Sequence, residues 1–257
     1  MLDAGVHQAA SLCALAPQEV PRIVALASHG DRRSELPLLW QLCASWSQLG
    51  YPVVVLDATV SETERQPGLQ QLLLDSEAWA GIARGPEDWP IVPAARGLAE
   101  LGLSSTGPGR LRPLSELFHA YEIILLYAPA PALAATLPGS GVAPLLAVSA
   151  SEAALLTAYH ALKQLLNIGK LRPTIVAVMD DPTLATRVSG HSIGRNLQQC
   201  ARDFLACELP ALTVCPTRTP EMHQLALRTL EQAPPPPAGW SAPAAPQPSA
   251  APAARKH

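Results

Sequence analysis

Residues 22–36 read RIVALASHGDRRSEL, and this stretch decides the fold. Its first six residues form a short apolar run typical of a strand that is buried on both faces. The polar turn that follows opens into a segment with helical spacing. Because the same succession of apolar run, turn and helix recurs along the chain, the sequence predicts a doubly wound α/β fold with helices on both faces of a mostly parallel sheet.

Six strands and four long helices are predicted from this pattern. The strands are Arg22–Ala27, Val53–Asp57, Glu122–Ala128, Pro144–Val148, Thr174–Met179 and Ala211–Cys215. The helices are Leu36–Leu49, Ser151–Leu166, Leu184–Cys207 with a break near His191, and Pro220–Gln232. Gly50 ends the first helix and Ser151 is the expected N-cap of the second, whose predicted buried stripe is Leu155, Tyr159, Leu162 and Leu166.

Three segments are expected along the chain. Residues 1–20 contain a short helix, Val6–Ala16, and a linker; residues 21–232 form the α/β domain. Residues 233–257 are rich in Pro and Ala, cannot bury a core and are predicted to be disordered. Neither a signal peptide nor a membrane span is expected, because no basic region precedes an apolar run at the start and prolines interrupt the most apolar stretch, Ile123–Val148.

Composition excludes several classes of function. The 257 residues carry a formal net charge of −3 with a pI near 6.2, and the charges are interspersed, so no nucleic-acid partner is expected. The five cysteines are scattered without a CxxC pair, which argues against a disulfide framework or a zinc site. We therefore expect a cytoplasmic protein with reduced thiols and no bound metal.

The turn after the first strand of a doubly wound sheet is where an anion would bind. Residues 27–36, the helix after them and LGYPVVVLDAT at residues 49–59 resemble the opening of the MinD/ParA family of ATPases. That family has a strand, a deviant P-loop SGKGGVGKT, a helix and then LGxxVLLxDAD, and the two patterns align without a gap. The resemblance implies a three-layer sandwich of the P-loop NTPase type.

Most positions that would contact phosphate or magnesium differ from the family pattern. Ser28 keeps the leading Ser, while the signature Lys falls on Gly30, the next two glycines on Asp31 and Arg32, the last glycine on Ser34, the phosphate-contacting Lys on Glu35 and the magnesium-binding Thr/Ser on Leu36. A glutamate in place of that lysine repels phosphate, and bulky side chains crowd the backbone cradle. ATP and magnesium are therefore not expected as cofactors, although weak anion binding by Arg32 and Arg33 stays open.

Two more positions that the family uses for hydrolysis differ here. The second Asp of the DAD motif, which positions the attacking water, falls on Thr59, and the Asp that orients a magnesium-bound water falls on Tyr127. Asp57 alone is kept, and its simplest role is to stabilise the end of its strand. Since the differences occur at three separate sites, the sequence predicts a pseudo-ATPase without catalytic residues.

Other segments resemble the flagellar-number regulators FlhG and FleN within this family. SASEAALLTAY at residues 149–159 is similar to their TTPEPxSLTDAY segment. HQAASLC at residues 7–13 resembles their N-terminal DQAxxLR motif, which engages the GTPase FlhF. The resemblance implies that Gln8, Ala9 and Leu12 bind a protein partner, either an FlhF-like GTPase or flagellar basal components, with the protein at the cell pole.

Three hypotheses remain open at this point. The chain is a non-catalytic regulator or scaffold, a nucleotide-binding protein with a rebuilt phosphate site that uses Arg32, Arg33 and Asp57, or an unrelated small-molecule α/β enzyme. A monomer and a homodimer are both compatible with the sequence. The segment Glu221–Gln232 has one basic residue, too few for a stable membrane anchor, and is expected to pack on the sheet.

Two polar clusters have simple structural interpretations. His29 and Asp31 are neighbours in one turn with no nucleophile placed beside them, so a catalytic dyad is not expected. Asp180, Asp181 and Pro182 follow a strand and could bind a cation. They are more simply explained as the start of the next helix, with an Asp cap and a proline in the first turn.

Overall fold

A computed structural model describes residues 20–75, 89–104, 108–180 and 184–233. In these residues seven strands form one sheet in which every pairing is parallel, in the order β3-β2-β4-β1-β5-β6-β7. The strands are β1 Arg22–Ser28, β2 Val53–Asp57, β3 Ile91–Pro93, β4 Ile123–Pro129, β5 Leu145–Val148, β6 Thr174–Val178 and β7 Ala211–Val214. The prediction of a doubly wound parallel sheet is confirmed, and all six predicted strands are present.

Eight α-helices lie around the sheet in the described residues. They are α1 Arg32–Gln48, α2 Leu69–Leu74, α3 Ala95–Ser104, α4 Arg112–Leu117, α5 Ala130–Thr136, α6 Glu152–Asn167, α7 Leu184–Leu205 and α8 Thr219–Gln232, and a 3-10 turn, Pro108–Leu111, precedes α4. The predicted break at His191 is wrong, because the backbone of α7 is helical through that residue. The predicted N-cap of α6 is confirmed, since the Ser151 hydroxyl accepts a hydrogen bond from Ala154 N at 3.1 Å.

Two apolar cores, one on each face of the sheet, make this a three-layer sandwich. On one face α1 and α8 pack against the strands, and the Trp46 indole N–H donates to Ala226 O at 3.1 Å between these two helices. On the other face α2 to α7 cover the sheet. The prediction that the last helix packs on the domain is confirmed, because its apolar side chains are buried: Met222, Leu225, Ala226 and Leu230.

The buried stripe of α6 is rotated from the predicted one. Leu162 is buried as predicted, but Leu155, Tyr159 and Leu166 are only half-buried at the rim. The positions against the sheet are instead mostly alanines: Ala154, Ala158 and Ala161, with Leu162 and Leu165. Small side chains let the helix lie close to the strands, a preference that a pattern of large apolar residues does not reveal.

Several predictions fall on residues outside the described ranges. These are the helix Val6–Ala16, the Pro- and Ala-rich tail from residue 234, and the Asp181-Pro182 pair. Within the described ranges, no helix has both the length and the apolarity needed to cross a membrane. The four cysteines there, Cys43, Cys200, Cys207 and Cys215, are free thiols.

Candidate functional site

The turn between β1 and α1 is shorter than the sequence predicted. The predicted helix start at Leu36 is wrong, because α1 begins at Arg32, with only three residues between it and the end of β1 at Ser28. The amides of Ser34 and Glu35 both donate to Asp31 O at 3.0 Å and form the first helical turn. Pro37 lies inside the helix, where it has no amide hydrogen to donate to the backbone. Residues 32–36, the second part of the segment aligned with the phosphate loop, are thus already helical.

The carboxylate of Glu35 fills the space that this turn encloses. Its side chain is 0% exposed. One carboxylate oxygen, Oε1, accepts hydrogen bonds from the backbone amides of His29 at 2.8 Å and Asp31 at 3.0 Å. The other, Oε2, accepts from the Ser28 hydroxyl at 2.9 Å and from the Tyr127 hydroxyl at 2.5 Å. Four donors therefore converge on one negative charge of the chain itself, and Gly30, whose φ is 96°, makes the turn that orients the two amides.

Tyr127 brings the end of β4 into this network. Burial, together with the hydrogen bond to Glu35, raises the pKa of its hydroxyl well above the ordinary tyrosine value. The hydroxyl therefore stays protonated and remains a donor. Position 127, predicted as a lost metal-orienting site, and position 35, predicted as a lost lysine, are joined here by a single short hydrogen bond.

His29 and Asp31 tie the turn to β5 and α6. The His29 ring donates from Nε2 to Ala147 O at 2.7 Å, since a carbonyl only accepts, and its Nδ1 lies 2.8 Å from the Thr157 hydroxyl. The Asp31 carboxylate accepts from Ser34 Oγ at 2.7 Å and from Ser149 N at 2.9 Å. Each of the two side chains therefore bonds to partners of its own.

Asp57 and Thr59 bond to each other at the end of β2. Asp57 Oδ1 accepts from Thr59 N at 2.9 Å and from Thr59 Oγ1 at 2.6 Å. The role of Asp57 in stabilising the strand end stays a prediction, and these two bonds are the contacts that would supply it. Asp57 is also opposite Tyr127 in the register of β2 and β4, so the end of β2 lies directly beside the Glu35 network.

A second buried carboxylate, Glu62, was not anticipated from the sequence. Its side chain is 0% exposed, and it accepts from the amides of Arg96 at 2.7 Å, Gly97 at 2.9 Å and Gln70 at 3.3 Å. Glu62 thus satisfies amides in the first turns of α2 and α3 at once. A glutamate in a polar loop gives no sequence signal for this role, because the two helices it joins are short and were themselves not predicted.

The described residues hold no group of three or more His, Cys, Asp or Glu side chains arranged to bind a metal ion. Leu36, at the position of the magnesium-binding hydroxyl, is an apolar side chain packed at the edge of the α1 core. Oxygen ligands are what magnesium requires. The Ser28, Glu35 and Tyr127 oxygens near this point are already used by one another.

Replacing Tyr127 by phenylalanine is expected to lower the free energy of unfolding by roughly 1.5 to 3 kcal/mol, because a hydrogen bond to a buried charge is lost. The matched control is Tyr51→Phe, since the half-buried Tyr51 side chain makes no hydrogen bond in the described structure. That change is expected to stay within about 0.5 kcal/mol. Urea unfolding of the two variants measures the difference, and equal stabilities would show that the Tyr127 hydroxyl does not support Glu35.

Asp31 is expected to make stability depend on pH on the acid side. Burial acts to raise the pKa of Asp31, but hydrogen bonds from Ser34 and Ser149 outweigh it, so the pKa lies below its ordinary value of 3.8. A carboxyl with a lowered folded pKa stabilises the protein above its unfolded pKa, and this contribution disappears as pH falls through the folded value. Stability should therefore fall more steeply below about pH 4 in the parent than in Asp31→Asn. Parallel curves from urea unfolding across this range would contradict the assignment.

No protein-family model matches the sequence, and no curated protein matches it. Solved structures match it by fold. A McdA variant from Cyanothece in complex with ATP has a TM-score of 0.54 at 13% identity, covering 83% of this chain and 96% of that chain. Cobyrinic acid a,c-diamide synthase from Mycobacterium smegmatis, with bound ATP analog and magnesium, has a TM-score of 0.53 at 16% identity, with coverages of 84% and 99%.

A third match, pnob8 ParA, has a TM-score of 0.50 at 10% identity and covers 82% of this chain and 99% of that chain. At these identities the similarity shows the fold alone. The chain therefore has the three-layer, P-loop NTPase-type fold that its first strand and turn led us to expect, and it spans nearly the whole length of each of these structures.

Proposed function

We propose that this protein is a non-catalytic regulator or scaffold with a MinD/ParA-like fold, and that it works without nucleotide. The observation that carries the proposal is the buried Glu35 carboxylate, which takes the amides of His29 and Asp31 and the hydroxyls of Ser28 and Tyr127. In a P-loop, backbone amides of this turn bind phosphate. Here a side chain of the same helix already occupies them.

The energetics favour the internal carboxylate over a phosphate. A phosphate entering the turn would have to displace Glu35 from four hydrogen bonds while the charge of Glu35 stays nearby. Two unit charges about 4 Å apart repel by about 4 kcal/mol at an effective dielectric near 20, which corresponds to about three decades of affinity. Arg32 and Arg33 are exposed on the first turn of α1. The His29 and Asp31 amides between these arginines and β1 are bonded to Glu35, so they do not form a phosphate cradle beside the two arginines.

The side chains at positions 57, 59 and 127, which the family uses for hydrolysis, also favour a non-catalytic protein. Position 127 offers a hydroxyl that stays protonated, so it supplies no negative oxygen to a metal-bound water. Asp57 Oδ1 is engaged by Thr59, and Thr59 has no carboxylate with which to position an attacking water. These assignments support a pseudo-ATPase, for which neither ATP nor magnesium is a cofactor.

The partner in this proposal is another protein. Resemblance of residues 7–13 and 149–159 to FlhG and FleN favours a role in flagellar biogenesis or placement, at the cell pole, with an FlhF-like GTPase or basal components as the partner. Gln8, Ala9 and Leu12 are the proposed contacts. Pull-down of FlhF by the full chain and by a deletion of residues 1–20 tests this, and equal retention by both would remove the N-terminal segment from the partner site.

A thermal-shift titration with ATP and ADP, with and without magnesium, tests the absence of a nucleotide function. Saturating a real site at a hundred times its dissociation constant would stabilise the protein by about 2.7 kcal/mol. We expect no shift of the melting temperature in any of the four titrations and no phosphate release by the pure protein. A saturable shift that needs magnesium, or turnover above buffer, would overturn the proposal. Glu35→Lys is the matched variant in which residual nucleotide affinity would be greatest.

A further inference from the structure

Four exposed arginines lie at the carboxyl edge of the sheet, in the segments that follow β1, β2 and β3. Arg32 and Arg33 begin α1 after β1, Arg65 lies in the loop after β2, and Arg96 is the second residue of α3 after β3. We call these four residues the arginine surface. Parallel strands present their carboxyl ends at one edge, and β1 and β3 are three strand spacings apart in the sheet order, or about 14 Å.

Hydrogen bonds along this edge join the two halves of the arginine surface. The loop after β2 is fixed to the start of α3, because Ala95 N donates to Val60 O at 3.2 Å and Arg96 N donates to Glu62 at 2.7 Å. The turn containing Arg65 follows at once, closed by two backbone bonds between Thr63 and Gln66. On the other side, Glu35 and Tyr127 fix the start of α1 to β4, the neighbour of β2.

The four arginine side chains have no partner in the described part of the structure. None of them makes a hydrogen bond or an ion pair there, whereas the other arginines near carboxylates are paired, as in Arg112–Glu116, Arg202–Glu208 and Arg218–Glu221. Arg32 and Arg33 also lie at the positive end of a 17-residue helix, where a cation is unfavourable. An exposed guanidinium without a partner, at a helix end that favours anions, is suited to bind an external carboxylate.

Most carboxylates of the same edge already accept hydrogen bonds from this chain. Glu35 and Glu62 are fully buried, Asp31 accepts from Ser34 and Ser149, and Asp57 accepts from Thr59. Two carboxylates of this region are exposed: Glu64, next to Arg65, and Glu100, one turn after Arg96 on α3, which accepts from the Gln70 side chain. Apart from Glu64, each of these carboxylates therefore accepts a hydrogen bond within the described structure, whereas the four guanidinium groups donate none there. Within the Debye length of about 8 Å at physiological salt, the four guanidinium groups, unpaired in the described residues, attract an approaching anion.

We propose that the arginine surface binds an acidic, extended polypeptide segment of a partner protein. This inference rests on the proposed function. In that proposal no nucleotide binds at this edge of the sheet, and the inference assigns the same edge to a protein partner. Val60, 39% exposed in the loop that also carries Arg65, gives a peptide an apolar contact. Nucleic acid is disfavoured, because four cations on a chain of net charge −3 supply fewer phosphate contacts than the roughly 6 to 10 of a typical DNA-binding protein.

Fluorescence anisotropy with a short labelled poly-glutamate peptide tests the proposal. The full-length parent is compared with Arg32→Glu/Arg33→Glu, with Arg65→Glu/Arg96→Glu, and with a control, Lys163→Glu/Arg228→Glu, that changes the net charge equally at exposed positions on α6 and α8. We expect each arginine-surface variant to weaken binding by roughly tenfold and the control by less than about twofold. Binding by the parent should weaken as salt increases.

Three results would overturn the proposal: no binding of the peptide by the parent, equal weakening by the control pair, or tighter binding of duplex DNA than of poly-glutamate. Unfolding is not a confounding explanation for Arg32→Glu/Arg33→Glu, because acidic residues in the first helical turn stabilise a helix. An ATP titration of the parent reports separately on the proposed function. Peptide binding without ATP binding supports both proposals, and ATP binding without peptide binding refutes both.

Discussion

Replacing Glu35 by alanine is expected to lower the free energy of unfolding by roughly 3 to 5 kcal/mol. The change leaves the amides of His29 and Asp31 and the hydroxyls of Ser28 and Tyr127 without their common acceptor in a buried space. Each buried donor left unsatisfied costs about 1 to 3 kcal/mol. Water molecules that enter the vacated space and accept from these donors reduce that cost. Urea unfolding at neutral pH measures the loss.

Two comparisons make this experiment specific to the network. Glu116→Ala removes a half-exposed carboxylate that pairs with Arg112 on α4, and it is expected to cost less than about 1 kcal/mol. Adding formate to Glu35→Ala should restore part of the lost stability, because a small carboxylate fits the vacated donors, whereas chloride at equal ionic strength should restore less. A loss no larger than that of Glu116→Ala would mean that the four donors do not depend on Glu35.

The second large effect is expected for Glu62→Ala, at roughly 2 to 4 kcal/mol. Glu62 accepts amides from the first turns of both α2 and α3, so its removal leaves the Gln70, Arg96 and Gly97 amides without this acceptor. The same helices are close enough there that a Cβ on Gly97 would lie 2.6 Å from Leu69 Cγ, which gives the region little freedom to rearrange. Loss of the cap should therefore not be absorbed by a shift of either helix.

Glu64→Ala is the control for Glu62, since Glu64 lies in the same loop with its side chain exposed. It is expected to change stability by less than about 0.5 kcal/mol. Hydrogen exchange adds a local measurement, because the amides of Arg96 and Gly97 should lose protection in Glu62→Ala before the rest of the sheet does. Unchanged protection at both amides would contradict the capping role even if global stability fell.

Most of the sheet could be predicted from the sequence because its strands are buried on both faces. Such strands appear as continuous apolar runs, and β1, β2, β4, β5, β6 and β7 were all placed within one or two residues. The edge strand β3 was not predicted, because it has only three residues and ends in a proline. The short helices α2 to α5 were not predicted for a related reason. None is longer than ten residues, so their apolar periodicity is weak.

The candidate site was predicted only position by position. Glu35 and Tyr127 were each identified as departures from a phosphate-binding pattern, but they are 92 residues apart and nothing local indicates that they bond. Compared with the family pattern, position 35 has an acid in place of a lysine, and position 127 has a hydroxyl donor in place of an acid. The two changes together were the available sequence signal that one compensates the other. The start of α1 was predicted four residues too late, because Arg32 to Glu35 are polar or charged and read as part of the turn.

The most direct test of the central idea, that Glu35 holds the turn in place of a phosphate, is an amide-resolved NMR titration of the parent with magnesium and ATP, following His29 and Asp31. We predict that both amide signals keep their positions at millimolar ATP, and that in Glu35→Ala both move on addition of formate. Saturable movement of both signals in the parent with magnesium and ATP would contradict the account, since it would place a nucleotide on the donors assigned to Glu35.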